Sequence, residues 1–310
     1  MTLKKRVVGL GEVLWDIYPK GRYLGGAVAN VAIHASRLGA DGIVVSAVGR
    51  DEPGDQLAQK LNTMGIQTGF IQTSKAHPTG TVLVELDDQG NPGFSCSKNA
   101  AFDHIRWNED LEKLAGEADA VVVGTLAQRH HKSRHTIHQF LEAASNAIRI
   151  FDVNFRGWDN VMHLMIQETL MVSDILKMNY SEMKQMWQAF RQDDKSVDAF
   201  FDWLIDKYDL KLLAMSLGEK GCFLTDGVDH IIAPGVTVDV KDTVGSGDAF
   251  VAGLVTRFLE GADLQDVAET ANYMGAFIST KKGAAPAYTI EEFKTFCDTH
   301  TEKNPETWKM

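Results

Sequence analysis

Asp242-Thr243-Val244-Gly245-Ser246-Gly247-Asp248-Ala249-Phe250-Val251-Ala252-Gly253-Leu254 reads as a glycine loop that opens straight into a helix. Gly245 and Gly247 let the backbone approach a ligand closely, and the amides from Gly245 to Asp248 stand at a helix N-terminus, where the dipole favours negative charge. Asp248 then lies beside any anion held there. A carboxylate in that position weakens phosphate binding by repulsion unless it accepts a proton from an attacking hydroxyl, so the loop points to phosphoryl transfer. Asp is also a common N-cap and glycine a common neighbour of helices, and a bare Gly-x-Gly-Asp says little without its surroundings. Here the preceding Gly235-Val236-Thr237-Val238-Asp239-Val240 alternates like a strand, while Val251, Leu254, Val255 and Phe258 fall on one helical face. The pattern predicts a strand, a glycine turn and a helix in succession.

Outward from this loop, short apolar runs at 6–12, 42–48, 120–124, 148–152, 174–178 and 211–216 alternate with helical patterns. This predicts an α/β fold: a doubly wound, mostly parallel central sheet with helices on both faces. Ligands on such sheets gather at the carboxyl ends of the strands, which gives weight to Glu12, Asp152, Asn179 and Ser216. The stretches 16–26 and 79–96 break the pattern and read as β-ribbon. A small β-sheet lid built from about 13–26 and 79–102 would cover the strand ends and exclude water, within a single domain spanning 1–310. Near the end, Thr289-Ile290-Glu291-Glu292 matches a capping box.

The chain has 310 residues, 44% of them apolar, enough for a large globular core. Its net charge of −11 argues against a nucleic-acid footprint. Cys96, Cys222 and Cys297 lie far apart, without Cys-x-x-Cys spacing, which argues against a disulfide framework or a thiolate zinc site. Residues 7–12 end too soon for a signal-peptide core, and no apolar run approaches membrane-spanning length. A cytoplasmic setting without membrane partners is the expectation.

A second glycine motif, Gly25-Gly26-Ala27-Val28-Ala29-Asn30-Val31-Ala32, precedes another helical pattern. The glycines permit close approach by a sugar ring, Asn30 offers a donor and an acceptor, and Asp16 can accept hydroxyl protons. Alone, such a Gly-Gly pair is more often only a tight turn.

The two motifs, in this order and more than 200 residues apart, resemble the PfkB, or ribokinase-like, family of carbohydrate kinases. The N-terminal match runs from Gly25-Gly26 and Asn30 through Gly39 and Gly49, and the C-terminal match is the block 242–254. The resemblance implies that Asp248 is the general base for a sugar hydroxyl and that Gly245, Ser246 and Gly247 form an anion hole. It implies that Asp16, Gly25, Gly26 and Asn30 hold the sugar. Lys177-Met178-Asn179-Tyr180-Ser181-Glu182 resembles the family's Asn-x-x-Glu element, in which Glu182 acts on Mg2+ through water. Ser216-Leu217-Gly218-Glu219-Lys220-Gly221 is similar to the nucleotide loop, with Asn179, Ser216, Gly218, Gly221 and Asn272 on the ATP side. A monovalent cation such as K+ is implied beside Asp242 and the loop 281–283.

The segments 12–16 and 124–129 look most like the fructokinase branch, which implies D-fructose as acceptor and its 6-position as the site of transfer. Asp152-Val153-Asn154-Phe155-Arg156 leaves alternatives open, since Arg156 can bind a substrate carboxylate bidentately and so favour 2-keto-3-deoxygluconate. Ribose, a nucleoside, and a non-catalytic sugar- or nucleotide-binding regulator are the other readings. A nicotinamide dehydrogenase is disfavoured because Gly9-Leu10-Gly11-Glu12-Val13-Leu14 lacks the last glycine of the dinucleotide fingerprint. His130, His131, His135 and His138 read as a solvated helix face, and Trp187, Phe190, Phe200, Phe201 and Trp203 as core. The edges of the lid ribbon offer a pairing surface for a homodimer.

Overall fold

The computed structural model describes residues 3–19, 21–86, 92–155, 157–191 and 196–300. Among these the strands are β1 (Arg6–Leu10), β2 (Leu14–Tyr18), β3 (Gly21–Gly25), β4 (Asp41–Gly49), β5 (Ile71–Ser74), β6 (Gly80–Leu86) and β7 (Pro92–Cys96). They continue with β8 (Ala120–Val123), β9 (Ile148–Asp152), β10 (Ile175–Asn179), β11 (Leu212–Ser216), β12 (Gly221–Thr225) and β13 (His230–Pro234). Each of the six apolar runs thus becomes a strand.

The described strands form a nine-stranded sheet in the order β13-β12-β11-β10-β9-β8-β1-β4-β5, with the β11–β12 and β12–β13 pairings antiparallel and the other pairings parallel. Period-two alternation divides each parallel strand between two cores. Val8, Val121, Phe151, Leu176 and Leu213 face one core, and Val7, Val122, Ile150, Ile175 and Leu212 face the other. On the first side Phe200 and Phe201 are buried, with Trp187, Phe190 and Trp203 packed around them, so this aromatic cluster is core. On the second side the helix Ser246–Leu259 buries Val251, Leu254 and Val255, with Phe258 against the same cluster.

A separate four-stranded sheet has the order β3-β2-β6-β7. It is the ribbon expected at about 13–26 and 79–102, with β2 pairing β6 in parallel. Residues 87–91 of its expected turn lie outside the described residues. The capping box also forms, Thr289 N donating to Glu292 at 3.0 Å and Glu292 N to Thr289 Oγ1 at 3.2 Å.

One expectation fails. Residues 235–240 are not a strand, although their side chains alternate. They follow β13, the last strand of the sheet on that edge, and the chain then hangs its Lys241 and Asp242 amides on the Ser279 carbonyl, at 2.8 and 3.2 Å. Among the described residues no strand pairs with 235–240, and Val236, Thr237 and Val238 line a cavity instead of entering a ladder.

Candidate active site

The glycine loop takes the expected form. Gly245 is the N-cap of Ser246–Leu259 at φ 79°, and a Cβ there would stand 2.5 Å from Ala284. Only glycine fits that left-handed turn against a neighbouring backbone. The Ser246 amide bonds the Thr243 carbonyl at 3.2 Å, closing the turn and leaving Gly245 and Gly247 at the helix opening. Asp242 holds the loop from below: Oδ1 accepts the Val244 amide at 3.1 Å and Oδ2 the Gly283 amide at 2.9 Å. The contact between Asp242 and the 281–283 loop is therefore made through one backbone amide, that of Gly283, which Oδ2 accepts.

The second motif reaches the same place from the other end of the chain. Gly26 sits at φ 117° with Glu12 O 2.4 Å from a would-be Cβ, and a Cβ on Gly25 would meet Asp16 Oδ2 at 2.3 Å. The two glycines are what allow Glu12 and Asp16 their positions. The helix Ala27–Arg37 lacks a cap of its own, and Glu12 supplies one, accepting the Ala27 amide at 3.0 Å. Its first turn then presents Asn30, whose Nδ2 donates to Asp248 Oδ2 at 2.7 Å across 218 residues of sequence. Asn30 Oδ1 is buried without a hydrogen-bond partner and faces the cavity.

Two adjoining cavities, of about 660 and about 610 Å3, meet at this loop and share Ser216, Gly218, Thr243, Ser246 and Gly247. The larger is lined by Asp16, Gly26, Asn30, Asn179, Glu182 and Asp248, and the smaller by Gly221 and Asn272. Gly25 is not in either wall, and its part is to make room for Asp16. Asn272 Nδ2 donates to the Pro234 carbonyl at 2.6 Å, tying the helix Leu264–Ser279 to the end of β13. Gly221, at φ 101°, has Ala233 O 2.0 Å from its missing Cβ and serves strand pairing as well as the cavity wall. Arg156 lies outside the described residues.

Asn179 and Glu182 form a capping box on the helix Tyr180–Phe190, with Asn179 N to Glu182 Oε2 at 2.7 Å and Glu182 N to Asn179 Oδ1 at 2.9 Å. Glu182 is 6% exposed. Among the described residues no group of three or more His, Cys, Asp or Glu could by itself hold a metal ion. A hard cation that keeps its waters and shares phosphate ligands needs only one or two such oxygens, which suits Glu182 and excludes an all-protein cage.

Three site features escaped the sequence reading. Lys177 lies in the middle of β10 and in the wall of the larger cavity, 5% exposed, with Nζ donating to Asp152 Oδ1 at 3.0 Å. Burial pulls its pKa down, but Asp152 and Glu182 outweigh burial and raise it, with Asp248 adding to them. The signal was a lone charge inside the apolar run Ile175-Leu176-Lys177-Met178. Arg129 stands in the larger cavity with Nε and Nη2 on Asp103 at 2.7 and 2.8 Å, Nη1 on Cys96 and Nη2 on the Ser97 carbonyl. It ties the end of β7 to the body.

His34, fully buried in the helix Ala27–Arg37, is the third. Burial lowers its pKa to about 4, so the ring is neutral. Since a carbonyl only accepts, Nε2 donates to Ala284 O at 2.9 Å and Nδ1 takes the Tyr288 hydroxyl, also at 2.9 Å. Nothing in the sequence marks an interior helical histidine as the anchor of Ala284, the residue against Gly245.

The histidines of the solvated-face reading divide. His131 and His135 are exposed, as expected, but His130 and His138 are half-buried, and His130 is in ring contact with His104, which stacks on His77 at 3.5 Å. Cys96, Cys222 and Cys297 take part in no disulfide. Among the described residues no helix is long and apolar enough to cross a membrane.

Comparison with known proteins agrees with this geometry. The chain is 30% identical over 309 residues to a fructokinase of Solanum tuberosum, covering 92% of this chain and 93% of that one. Its fold matches a fructokinase from Xylella fastidiosa solved with bound ATP, at a TM-score of 0.85 and 23% identity over 97% of this chain and all of the other. It also matches aminoimidazole riboside kinase from Salmonella enterica, at 0.78 and 20% identity over 94% and 99% of the two chains. The model of the pfkB family carbohydrate kinases matches residues 21–290. With both glycine motifs converging on one cleft of a ribokinase-like fold, the chain belongs to the PfkB family of carbohydrate kinases.

Proposed function

We propose that this protein transfers the γ-phosphoryl group of ATP to a hydroxyl of D-fructose, at the 6-position. The observation that supports the reading is the Asn30–Asp248 hydrogen bond at 2.7 Å, which joins an amide suited to a sugar hydroxyl to a carboxylate suited to accept a proton, beside the loop where two cavities meet. The larger cavity takes the sugar, with Asp16, Gly26 and Asn30 around it and Gly25 making room for Asp16. The smaller takes the nucleotide, with Ser216, Gly218, Gly221 and Asn272 along it, and Asn179 would meet it from the wall of the larger cavity. Asp248 accepts the proton of the attacking hydroxyl, and the Gly245–Gly247 turn faces the phosphoryl group as charge builds on it. Mg2+ bound with ATP would neutralise phosphate charge, with Glu182 reaching it through water. A K+ ion would share the Asp242 carboxylate, and the edge strands of the lid would pair with a second copy.

Fructose rests on the likeness to the potato fructokinase and on the character of the sugar cavity. Glu12 and Asp16 make its acceptor end acidic, and the one arginine described in its wall, Arg129, already holds Asp103, Cys96 and Ser97. Neutral hydroxyls suit such a wall better than the carboxylate of 2-keto-3-deoxygluconate. Initial rates with fructose, ribose, adenosine and 2-keto-3-deoxygluconate under one ATP–magnesium condition test this. Highest kcat/KM with any acceptor but fructose overturns the substrate. Asp248→Ala is expected to lower kcat by about 10²–10⁴ with nucleotide affinity kept, and wild-type turnover in that variant overturns the mechanism.

A further inference from the structure

Strand β10 carries one charge, and it is in an unusual place. Lys177 shares the side of the sheet with Ile175, the side covered by the helix Ser246–Leu259. Both Lys177 and its cross-strand neighbour Asp152 have side chains only 6% exposed. An apolar pair would hold two parallel strands as well without the desolvation that both charges suffer, so stability alone does not account for them. The position of the ammonium does. A Cβ on Gly247 would stand 3.4 Å from Lys177 Nζ, which puts the amine in the wall of the larger cavity, against the first turn of the glycine-loop helix and beside a glycine that both cavities share. An ammonium has three donors, and one is on Asp152.

The charges around it give the reason. Asp152, Glu182 and Asp248 all act electrostatically on Lys177, three acidic groups about one cation. A phosphoryl group entering this region meets repulsion that the backbone amides of one helix end only partly offset. We propose that Lys177 is a catalytic residue, its ammonium donating to an oxygen of the transferring phosphoryl group, and that Asp152 is the positioning residue that aims it. The proposal rests on the kinase reading above.

In the step, the bond between the γ-phosphorus and the β,γ-bridging oxygen breaks and its electron pair leaves with ADP. The acceptor oxygen forms the new bond to phosphorus, and its proton passes to Asp248. Lys177 keeps its own proton throughout and moves with neither substrate. Its bond to the equatorial oxygens is strongest when their charge is least shared, so it acts on turnover more than on binding.

The test separates this role from a structural one. Lys177→Met leaves Asp152 buried and unpaired, and loss of activity with loss of fold would be ambiguous. The double variant Lys177→Met/Asp152→Asn removes both charges. It is expected to melt near the wild-type temperature and yet to keep a kcat lowered by about 10²–10³, with both KM values within about threefold. Recovery of turnover in the double variant overturns the proposal. A binding measurement needs no sugar to be known: wild type is expected to bind ADP with aluminium fluoride at least about tenfold more tightly than ADP alone, and Lys177→Met/Asp152→Asn to lose that gain with ADP affinity unchanged. Retention of the gain also overturns it. A wild type that phosphorylates none of the four acceptors, but shows the gain and its loss, refutes the substrate reading and leaves the lysine assignment standing.

Discussion

Asn30→Ala is the most direct probe of the joined site. The substitution removes one hydrogen bond, from Nδ2 to the Asp248 carboxylate at 2.7 Å, and with it the amide proposed to face the sugar. A hydrogen bond to a charged partner is worth about 1.5–3 kcal/mol, which converts to a loss of about 10- to 150-fold in kcat/KM for the sugar. The value should lie in the lower half of that range, because the cavity admits water that can partly replace the amide. Asn30 lines the larger cavity and not the smaller, so KM for ATP should stay within about twofold. Little stability should be lost. The side chain has one good bond but also a buried Oδ1 without a partner, and deleting both leaves the melting temperature within about 2 °C of wild type. Coupled-assay initial rates over a grid of sugar and ATP concentrations measure all of this. A folded variant with kcat/KM within about threefold of wild type, or one in which the ATP KM rises as far as the sugar's, refutes the joined site.

Gly245→Ala puts a methyl 2.5 Å from Ala284 at φ 79°, and should cost about 1–3 kcal/mol in urea titrations while lowering kcat at least about tenfold. Stability should fall with acid through His34. Its pKa is near 6.5 when unfolded and about 4 when folded, so the unfolded chain binds the extra proton between those values; the stabilisation, roughly 3 kcal/mol, is whole above 6.5 and lost as pH falls towards 4. Urea titrations across that window should show His34→Gln losing less than wild type, and equal pH slopes would contradict the assignment. A dimer through the lid, where Tyr23 and Leu83 are 50% and 42% exposed, should dissociate on Leu83→Lys in sedimentation, and a wild-type monomer at all concentrations would reject it.

Local patterning made much of the molecule legible. The runs at 148–152 and 211–216 became β9 and β11 because a parallel strand covered on both faces shows as a mostly apolar run, even where charges such as Arg149 and Asp152 interrupt it. The same rule misled at 235–240, where side chains alternate as in a strand but the sheet has already ended at β13. Alternation reports which side chains are buried, and not whether a second backbone lies within hydrogen-bond reach. Gly245 was readable for a related reason: its left-handed φ belongs to the loop itself.

The sequence by itself determined the two glycine turns, the helices they open, the alternating strands and the presence of Asp248 at a helix N-terminus, since each depends on residues within a turn or two of one another. The tertiary structure alone decided what those pieces meet. Asn30 reaches Asp248 across 218 positions, His34 holds the carbonyl of Ala284 against Gly245, and Lys177 reaches Gly247 at the larger cavity from inside an apolar strand. No periodicity encodes such contacts, because they are set by which face of one element the fold turns toward another. The chemistry of the site arises at those crossings.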